Sequence, residues 1–274
     1  MVITITGTND TPVAQAQVRA VDEGAAVITG NVVATDVDDN AVLTYSLDAA
    51  APAGLTFNSD GSYSFNPAVT TYDHLEAGAT QVLTIAYTVT DEHNATSSAN
   101  LVITITGTND TPVAQAQVRA VDEGAAVITG TVVATDVDDN AVLTYSLDNA
   151  APVGLIFNSD GSYSFDPTVT AYDHLEAGAT QVLTIAYTAT DEHGASHGAN
   201  LVITITGTND TPVAQAQVRA VDEGAAVIIG NVVATDVDDN AVLTYSLDAA
   251  APAGLTFNSD GSYSFNPGAA LSKL

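Results

Sequence analysis

Short stretches in which hydrophobic and polar residues alternate recur along the chain. Residues 14–20, 43–47, 83–89 and 101–105 each place an apolar side chain at every second position. A period of two is typical of β-strands with one buried face, and in the first stretch it places Val18 on that face. No stretch keeps a helical period beyond a turn or two. The pattern therefore predicts an all-β fold.

The turns between these stretches favour a particular β architecture. Residues 55–57 and 63–65 flank Asn58-Ser59-Asp60-Gly61-Ser62, in which Asp-Gly supplies the positive φ of a tight hairpin. About seven short strands per repeat, separated by Gly, Asn and Asp, are typical of an immunoglobulin-like β-sandwich. We therefore expect this fold.

A long internal repeat organises the chain. The segment VITITGTNDTPVAQAQVRAVDEGAAVI begins at Val2, Val102 and Val202, a period of 100 residues. Residues 2–67 and 202–267 differ only at Thr29, which is Ile229 in the third copy. A repeat of this length suits a module with its own core. The sequence therefore predicts tandem β-sandwich domains in a linear array.

The segment 107–112, Gly-Thr-Asn-Asp-Thr-Pro, marks the junction between modules, because its Pro is disfavoured inside a central strand. We expect complete modules at 10–108 and 110–208. Residues 1–9 are interpreted as the last strand of a preceding module, and residues 210–274 as a partial third module that lacks its C-terminal strands. The chain is thus expected to be part of a longer array, with its last domain truncated.

The charge balance excludes some partners. The chain has 33 Asp and Glu against 4 Lys and Arg, a net charge of −29. The balance excludes a nucleic-acid groove, which needs clustered cations, and it disfavours docking onto an anionic membrane. No apolar run approaches the ~18 residues of a membrane span, so no membrane insertion is expected. The N-terminus lacks the basic region of a signal peptide, so any secretion signal is expected outside this chain.

The acidic residues gather at strand ends. In the first repeat and its junction they include Asp22, Glu23, Asp36, Asp38, Asp73, Glu76, Asp91 and Asp110. Loops of a sandwich meet at its poles, and we expect Glu23, Asp36, Asp38 and Asp110 to cluster at one of them. With one Arg per repeat, these carboxylates would repel one another unless a cation bound. Oxygen donors without Cys suit Ca²⁺, which takes six to eight oxygens.

Three motifs carry a resemblance to a known family. VATDVDDNAVLTYSL at 33–47, LTIAYTVTD at 83–91 and ITITGTNDTP at 103–112 resemble, in order, motifs of cadherin domains. GTNDTPVA at 107–114 and DGSYSF at 60–65 are more specifically similar to the VCBS repeats of large bacterial RTX-type surface adhesins. The resemblance covers all but the last seven residues. It implies non-catalytic extender modules, rigidified by Ca²⁺, that hold an adhesive domain away from the cell.

The resemblance also implies partners, location and ligands. The partners would be calcium ions and neighbouring repeats, and the modules would serve cell adhesion and biofilm formation at the bacterial cell surface. The implied ligands at the 107–112 junction are Glu23, Glu76, Asn109 and Asp110 from the module before it, and Asp136, Asp138 and Asp191 from the module after it. Further copies of these positions are Asp36, Asp38, Asp91, Glu123, Glu176, Asn209, Asp210, Asp236 and Asp238.

The chain departs from cadherin linkers at three places. Gly107 stands where those linkers have Asp, Thr111 replaces a following Asn, and the acidic pair Asp73 and Glu76 is one residue further apart. We therefore expect one or two ions per junction rather than three. The 207–212 junction has no counterpart of Asp191, so it is expected to bind more weakly.

Two alternatives come from other functional classes. Each module could bind carbohydrate or protein by avidity, which calls for an exposed aromatic platform; Tyr63 and Tyr72 are the candidates, although the phase of Tyr63 predicts a core position. Residues 2–6 could instead be donated as a strand to the partial third module of another chain. One strand cannot replace all that is missing there, so a monomer is favoured.

Zinc and enzymatic activity are disfavoured. His74 and His93 are about 19 residues apart and no Cys is present, so solvated loop positions are favoured over zinc ligands. A paired-carboxylate hydrolase is conceivable, but there is no Trp, and an active site copied in every repeat would be unusual. We expect no enzymatic activity.

Overall fold

Repeat 1 is built from strands alone. The computed structural model describes residues 1–270, and the side chains of residues 1–268. The strands of repeat 1 are β1 Val13–Gln15, β2 Gln17–Asp22, β3 Ile28–Asn31, β4 Val33–Thr35, β5 Thr44–Leu47, β6 Leu55–Phe57, β7 Ser62–Phe65, β8 Thr80–Thr90 and β9 Thr96–Thr106. The prediction of an all-β fold is confirmed.

These strands form the two layers of a sandwich. One sheet has the order β2-β9-β8-β5 and the other β3-β7-β6, while β1 pairs with β4. β8 and β9 pair antiparallel over their full length, from Thr80↔Thr106 to Thr90↔Thr96, whereas β2 lies parallel to β9. The alternation predicted for residues 83–89 and 101–105 is confirmed, because every second side chain of these central strands is turned towards the core.

The core lies between the sheets and includes buried tyrosines. Tyr63 belongs to it, as its phase with Phe65 predicts. The hydroxyl of Tyr87 donates to the Gln15 carbonyl oxygen at 2.6 Å, and that of Tyr72 to the Ala53 carbonyl oxygen at 2.8 Å. A buried hydroxyl without a partner destabilises a fold, and these bonds remove that cost for Tyr87 and Tyr72. The hydroxyl of Tyr63 is buried without a partner among the described residues.

The predicted hairpin is also present. Gly61 has a φ of 82°, a value that L-residues with a side chain rarely adopt. The Ser62 N–H donates to Asp60 Oδ1 at 2.9 Å, which closes the turn between β6 and β7. Asp60 is thus a turn residue.

The prediction for residues 14–20 is wrong in one respect. The stretch is divided at Ala16 into β1 and β2, which belong to different sheets. Crossing between sheets reverses which positions face inward, so Arg19 and Val21 lie on the partly buried face of β2. Val18 is 69% exposed instead of lying in the core.

Repeat 2 has the same arrangement. Its strands are β10 Val113–Ala114, β11 Gln117–Asp122, β12 Ile128–Thr131, β13 Ala134–Thr135, β14 Thr144–Leu147, β15 Leu155–Phe157, β16 Ser162–Phe165, β17 Thr180–Thr190 and β18 Ser196–Thr206. The sheet orders are β11-β18-β17-β14 and β12-β16-β15, with β10 paired to β13. Near-identical sequences therefore give the same topology.

The third repeat keeps only part of this topology. Its elements are β19 Val213–Ala214, β20 Ile228–Asn231, β21 Ala234–Thr235, β22 Leu255–Phe257, β23 Ser262–Phe265 and α1 Pro267–Ala270. Residues 217–222 and 244–247 match β2 and β5 in sequence but form no strands. In repeat 1 these strands pair with β9 and β8, whose counterparts do not occur in this chain. The last residues of the predicted third module, 271–274, lie outside the described residues.

Contacts gather the chain into two compact units, and each contains one junction. Unit 1 comprises residues 1–114, 134–145 and 188–198, and so includes the 107–112 junction. Unit 2 comprises residues 115–133 and 146–187 and the described residues from 199 onward, including the 207–212 junction. Within residues 1–270, no helix has the length and apolar character needed to cross a membrane.

Candidate metal centre

Glu23 lies at the end of β2 and faces the first junction. Because β2 runs parallel to β9, the two strands end together, and the Glu23 N–H donates to the Thr106 carbonyl oxygen at 2.8 Å. Glu23 Oε2 accepts the N–H of Thr108 at 3.2 Å. The side chain is only 5% exposed, and Oε1 has no hydrogen-bond partner among the described residues. This carboxylate is therefore buried beside the junction, and only one of its two oxygens accepts a hydrogen bond.

The loop after β13 brings two more carboxylates to the same place. Asp138 Oδ2 accepts the N–H of Asp110 at 2.8 Å, and the Asp138 N–H donates to Asp136 Oδ1 at 3.2 Å. Asn140 has a φ of 59°, a left-handed conformation that Asn tolerates and that turns the loop back. Asp136 Oδ2 and Asp138 Oδ1 are buried without a partner in the described chain.

Asp191, which follows β17, is a satisfied carboxylate at the edge of this cluster. Its Oδ2 accepts Asn109 Nδ2 at 2.9 Å, and its Oδ1 accepts the N–H groups of His193 and Ala195, both at 2.9 Å. Burial opposes ionisation of Asp191, yet the hydrogen bonds from Asn109 and the backbone lower its pKa. Asp191 therefore holds the junction amide side chain in place as an anion.

The cluster repels itself electrostatically. Burial raises the pKa of Glu23, and the hydrogen bond from Thr108 opposes this rise in part. The carboxylates of Asp110, Asp73 and Asp138 raise it further. A raised pKa in a carboxylate means that its charged form is disfavoured in the fold.

Asp110 and Asp138 show the same behaviour. Burial raises the pKa of Asp110, and the nearby charges of Asp138, Asp73 and Asp136 add to it. Burial also raises the pKa of Asp138, where the N–H of Asp110 compensates in part and Asp136 adds repulsion. The structure thus brings together Glu23, Asp110, Asp136 and Asp138. The expectation that Asp36 and Asp38 lie beside Glu23 and Asp110 is wrong, because Asp38 accepts the N–H of Asp10 at the start of repeat 1 and Asp36 accepts the N–H of Asp38.

The two acidic residues of the irregular stretch, Asp73 and Glu76, have different surroundings. Asp73, which was not among the predicted ligands, contributes charge to the cluster. Glu76 instead accepts Asn140 Nδ2 at 2.6 Å through Oε1 and adds no such effect at Glu23 or Asp110. The sequence signal was the pair itself, but a stretch without periodicity does not reveal which of the two carboxylates faces the junction.

Comparison with protein families identifies the modules. Residues 9–107 and 109–207 each match the bacterial cadherin-like domain, and residues 209–273 match a bacterial Ig domain. The chain belongs to the bacterial cadherin-like family. The resemblance to cadherin-like repeats is confirmed, and both families consist of structural domains rather than enzymes. No curated protein matches the chain.

Solved cadherin structures share the fold of this cadherin-like chain. Human CDH23 EC21-23 aligns with a TM-score of 0.62 and 21% identity over 93% of this chain and 90% of that one. Mouse Cadherin-23 EC22-24 aligns with a TM-score of 0.55 and 22% identity over 94% and 88%. At this identity the likeness shows the fold alone, and it confirms tandem immunoglobulin-like sandwiches with a partial third domain.

The other copies of the cadherin-like junction repeat the geometry with parts missing. In unit 2, Glu123 Oε2 accepts the Thr208 N–H at 3.1 Å, and Asp238 Oδ2 accepts the Asp210 N–H at 2.9 Å. The remaining contacts there are Asp238 N–H to Asp236 Oδ1 at 3.1 Å and Asn240 Nδ2 to Glu176 Oε1 at 2.7 Å. Asn209 Nδ2 donates to the Asp210 carbonyl oxygen and has no carboxylate partner among the described residues.

A half-site lies at the start of repeat 1. Asn9 Nδ2 donates to Asp91 Oδ2 at 2.9 Å, and the Asp10 N–H donates to Asp38 Oδ2 at 2.8 Å. Asp38 in turn donates its N–H to Asp36 Oδ1 at 3.0 Å. These contacts repeat the ones that Asn109, Asp110, Asp136, Asp138 and Asp191 make at the first junction.

The donor set of the cadherin-like junction fits a hard cation. Three carboxylate oxygens at the first junction are buried without a hydrogen-bond partner among the described residues, namely Glu23 Oε1, Asp136 Oδ2 and Asp138 Oδ1. Asp36 Oδ2 at the start of repeat 1 and Asp238 Oδ1 at the second junction are in the same state. Such atoms are costly unless they are paired, and all are oxygen donors of the kind that Ca²⁺ prefers. Within residues 1–270, however, no three His, Asp or Glu side chains already stand close enough to hold a metal. Binding would therefore require these side chains to rotate.

The aromatic platform of the alternative binding function is absent at the predicted positions. Tyr63 is 3% exposed and Tyr72 is 1% exposed. Neither ring offers a face on which a sugar could stack. Nothing at these two residues supports carbohydrate binding.

Proposed function

We propose that this chain is a calcium-rigidified spacer in a bacterial cell-surface adhesin, where it serves cell adhesion and biofilm formation outside the cell. Its membership of a structural cadherin-like family supports a non-catalytic extracellular module. The observation that carries the calcium role is the set of buried carboxylate oxygens without partners at the junction. The modules are residues 10–108, 110–208 and the partial 210–274.

The proposed mechanism is charge neutralisation at each junction. Without an ion, Glu23, Asp110 and Asp138 repel one another, and the 107–112 linker bends. With Ca²⁺ bound, carboxylates from consecutive repeats share one cation, so the linker stiffens. The full set of proposed ligands is the predicted set together with Asp73 and its copy Asp173. We expect one or two ions per junction.

Small-angle scattering tests this function. We expect a larger maximum dimension in Ca²⁺ than in chelator, because a shared ion restricts bending at the junctions. The double variant Asp138→Asn/Asp238→Asn should lose this response. The matched control Asp60→Asn/Asp160→Asn alters the hairpin-turn carboxylates and should keep it. Superimposable curves in Ca²⁺ and chelator would disprove the proposal.

The junctions at 107–112 and 207–212 should differ in Ca²⁺ affinity. The first has Asp191 beside Asn109, whereas the second has no equivalent carboxylate, and fewer charged ligands lower Ca²⁺ affinity. Titration calorimetry on Glu123→Gln/Asp238→Asn, which silences the second junction, should give a dissociation constant about tenfold lower than Glu23→Gln/Asp138→Asn, which silences the first. Both variants keep the N-terminal half-site. Equal constants would contradict the ligand assignment.

A further inference from the structure

The outer edge of β8 is only partly covered by its neighbour. β5 has four residues and pairs with residues 87–90 of β8. Residues 80–85 pair with β9 on one side, and no described residue pairs with them on the other. In repeat 2, β17 has the same sequence over residues 180–187, and its neighbour β14 is equally short. Repeats 1 and 2 therefore each contain an open sheet edge.

The backbone groups of β8 face this edge at every second residue. The Asp48 N–H donates to the Ala86 carbonyl oxygen at 3.1 Å, so Ala86 faces the β5 side of the strand. In an antiparallel ladder the N–H and C=O of one residue point to the same side, and those of the next residue point to the other. Thr80, Val82 and Thr84 therefore direct their N–H and C=O groups to the open edge, where all three residues are exposed.

A groove runs along the open edge between β8 and the segment that follows β5. Its volume is about 250 Å³, and it is lined by residues 82–86 with Ala49, Ala50 and Pro52. The groove of repeat 2 has the same volume and is lined by residues 182–186 with Asn149, Ala150 and Pro152. The alanine and proline side chains are small, so the groove has room for the side chains of an added strand.

The local sequence does not protect this edge from pairing. Residues 80–87, Thr-Gln-Val-Leu-Thr-Ile-Ala-Tyr, contain no charged residue, Pro or Gly, although the chain has 33 acidic residues. Natural edge strands are usually protected by charges, Pro or bulges. Thr, Val, Ile and Tyr also favour strands. This uncharged edge is therefore suited to accept a further strand.

The two ends of the open edge are acidic. Asp48 is exposed at the end marked by Ala86. At the other end the Ala79 N–H donates to the Glu76 carbonyl oxygen at 2.8 Å, which holds Glu76 close to the start of β8. A second copy of this chain would bring its own carboxylates to both ends, and its net charge of −29 adds to the repulsion. Charge complementarity favours a strand with a cation at each end.

We propose that the open edges of β8 and β17 each bind an extended peptide segment of another protein, which has small apolar side chains at alternating positions and a basic residue at each end. The segment pairs antiparallel to β8 and continues the line of β5, because antiparallel ladders are slightly more stable than parallel ones. Main-chain hydrogen bonds to Thr80, Val82 and Thr84 hold it, and its alternate side chains enter the groove. Its cations reach Asp48 and Glu76.

Fluorescence anisotropy with the labelled probe peptide Lys-Thr-Val-Thr-Val-Thr-Lys tests this interaction. The full chain is used in chelator, because Glu76 is also a proposed calcium ligand. We expect one peptide to bind in each of repeats 1 and 2. The peptide Glu-Thr-Val-Thr-Val-Thr-Glu should bind about tenfold more weakly, because its ends repel the carboxylates. Equal affinities for the two peptides, or no binding of either, would overturn the proposal.

Two matched variants separate the groove from the general negative charge of the chain. Ala50→Trp/Ala150→Trp fills both grooves and should weaken binding of the lysine peptide about tenfold or more, because the rings clash with the added strand. Ala51→Trp/Ala151→Trp alters the next residue, which does not line the groove, and should keep the affinity. All four alanines are exposed, so the fold is kept. Equal affinities of the two variants would place the peptide elsewhere and contradict the inference.

Amide hydrogen exchange measured by NMR tests the strand pairing itself. The amides of Thr80, Val82 and Thr84 face the open edge and should exchange quickly in the free chain, whereas those of Leu83 and Ile85 face β9. Saturating lysine peptide should slow exchange about tenfold or more at the first three and leave the other two unchanged. Unchanged exchange at the first three would rule out strand addition. A doubled mass without peptide, seen by sedimentation, would show that a second copy occupies the edge instead.

Discussion

The substitution Asp138→Asn is expected to change stability in opposite directions with and without calcium. In chelator it removes a charge that Asp136 and Asp110 repel, so the free energy of unfolding should rise by about 0.5 to 1 kcal/mol after solvent screening. In Ca²⁺ it removes a proposed ligand, so stabilisation by the ion should fall. For the unaltered chain that stabilisation is about 2.7 kcal/mol per site at a hundred times the dissociation constant.

The pH dependence has a definite sign. Glu23, Asp110 and Asp138 have raised pKa values in the fold, so the folded cluster binds protons more readily than the unfolded chain. Its contribution to stability therefore improves as pH falls through the raised pKa values towards the ordinary carboxylate range. The pKa of Asp191 is lowered, so its contribution to the free energy of unfolding falls as pH falls. Asp191 is present in both the unaltered chain and the variant, so this contribution cancels when their stabilities are compared. The gain from Asp138→Asn should thus be largest at neutral pH and shrink in acid.

Urea unfolding at pH 7 and pH 5, in Ca²⁺ and in chelator, measures these differences. The matched control is Asp38→Asn, which occupies the same loop position in repeat 1 but has no Glu23 counterpart before it. Its gain in chelator should be smaller than that of Asp138→Asn. A loss of stability from Asp138→Asn in chelator would show that the junction carboxylates do not repel one another.

The strands that the sequence predicts best are those that stay within one sheet. In β8 and β9 each residue pairs with a neighbour along the full length, so the period of two continues without a break. Between β1 and β2 the chain crosses from one sheet to the other, and the phase reverses at Ala16. Alternation within a stretch does not reveal such a crossing, which is why Val18 was placed on the wrong face.

Partners decide strand formation as much as local sequence does. Residues 17–22 and 217–222 are identical, yet only the first segment forms a strand, because β9 lies beside it. A similar non-local effect selects Asp73 over Glu76 at the junction. The resemblance to cadherin domains implied that Asp136 and Asp138 lie beside Glu23 and Asp110. The strand ends alone grouped Asp36 and Asp38 with Glu23 instead, because the sequence does not show which pole of the sandwich a loop reaches.

Gly107 is one of the three departures from the cadherin linker pattern, and the structure gives a physical reason for it. Its N–H donates to the Ala79 carbonyl oxygen at 2.8 Å, and its own carbonyl oxygen accepts the Gly78 N–H at 2.9 Å. A Cβ at this position would collide with the backbone carbonyl groups of Leu75 and Glu76. An Asp side chain therefore has no room here.

We expect Gly107→Ala to destabilise the chain by about 2 kcal/mol, because rigid backbone atoms must move to admit the methyl group. Gly107 is not in the left-handed region, so the cost comes from the contact and not from the conformation of alanine. Gly7→Ala has the same flanking sequence, but no atom lies within 4 Å of its Cβ, so its effect should stay within about 0.5 kcal/mol. Urea unfolding in chelator measures both.

Gly107→Ala should also change the positions of the junction carboxylates. Displacement of Leu75 and Glu76 moves the loop that positions Asp73, since the Leu75 N–H donates to the Tyr72 carbonyl oxygen at 3.0 Å and fixes the turn between them. Gly107→Ala should therefore weaken Ca²⁺ binding at the first junction, while Gly7→Ala leaves it unchanged. Equal stabilities and equal affinities for the two variants would show that the irregular loop does not pack on Gly107 in solution.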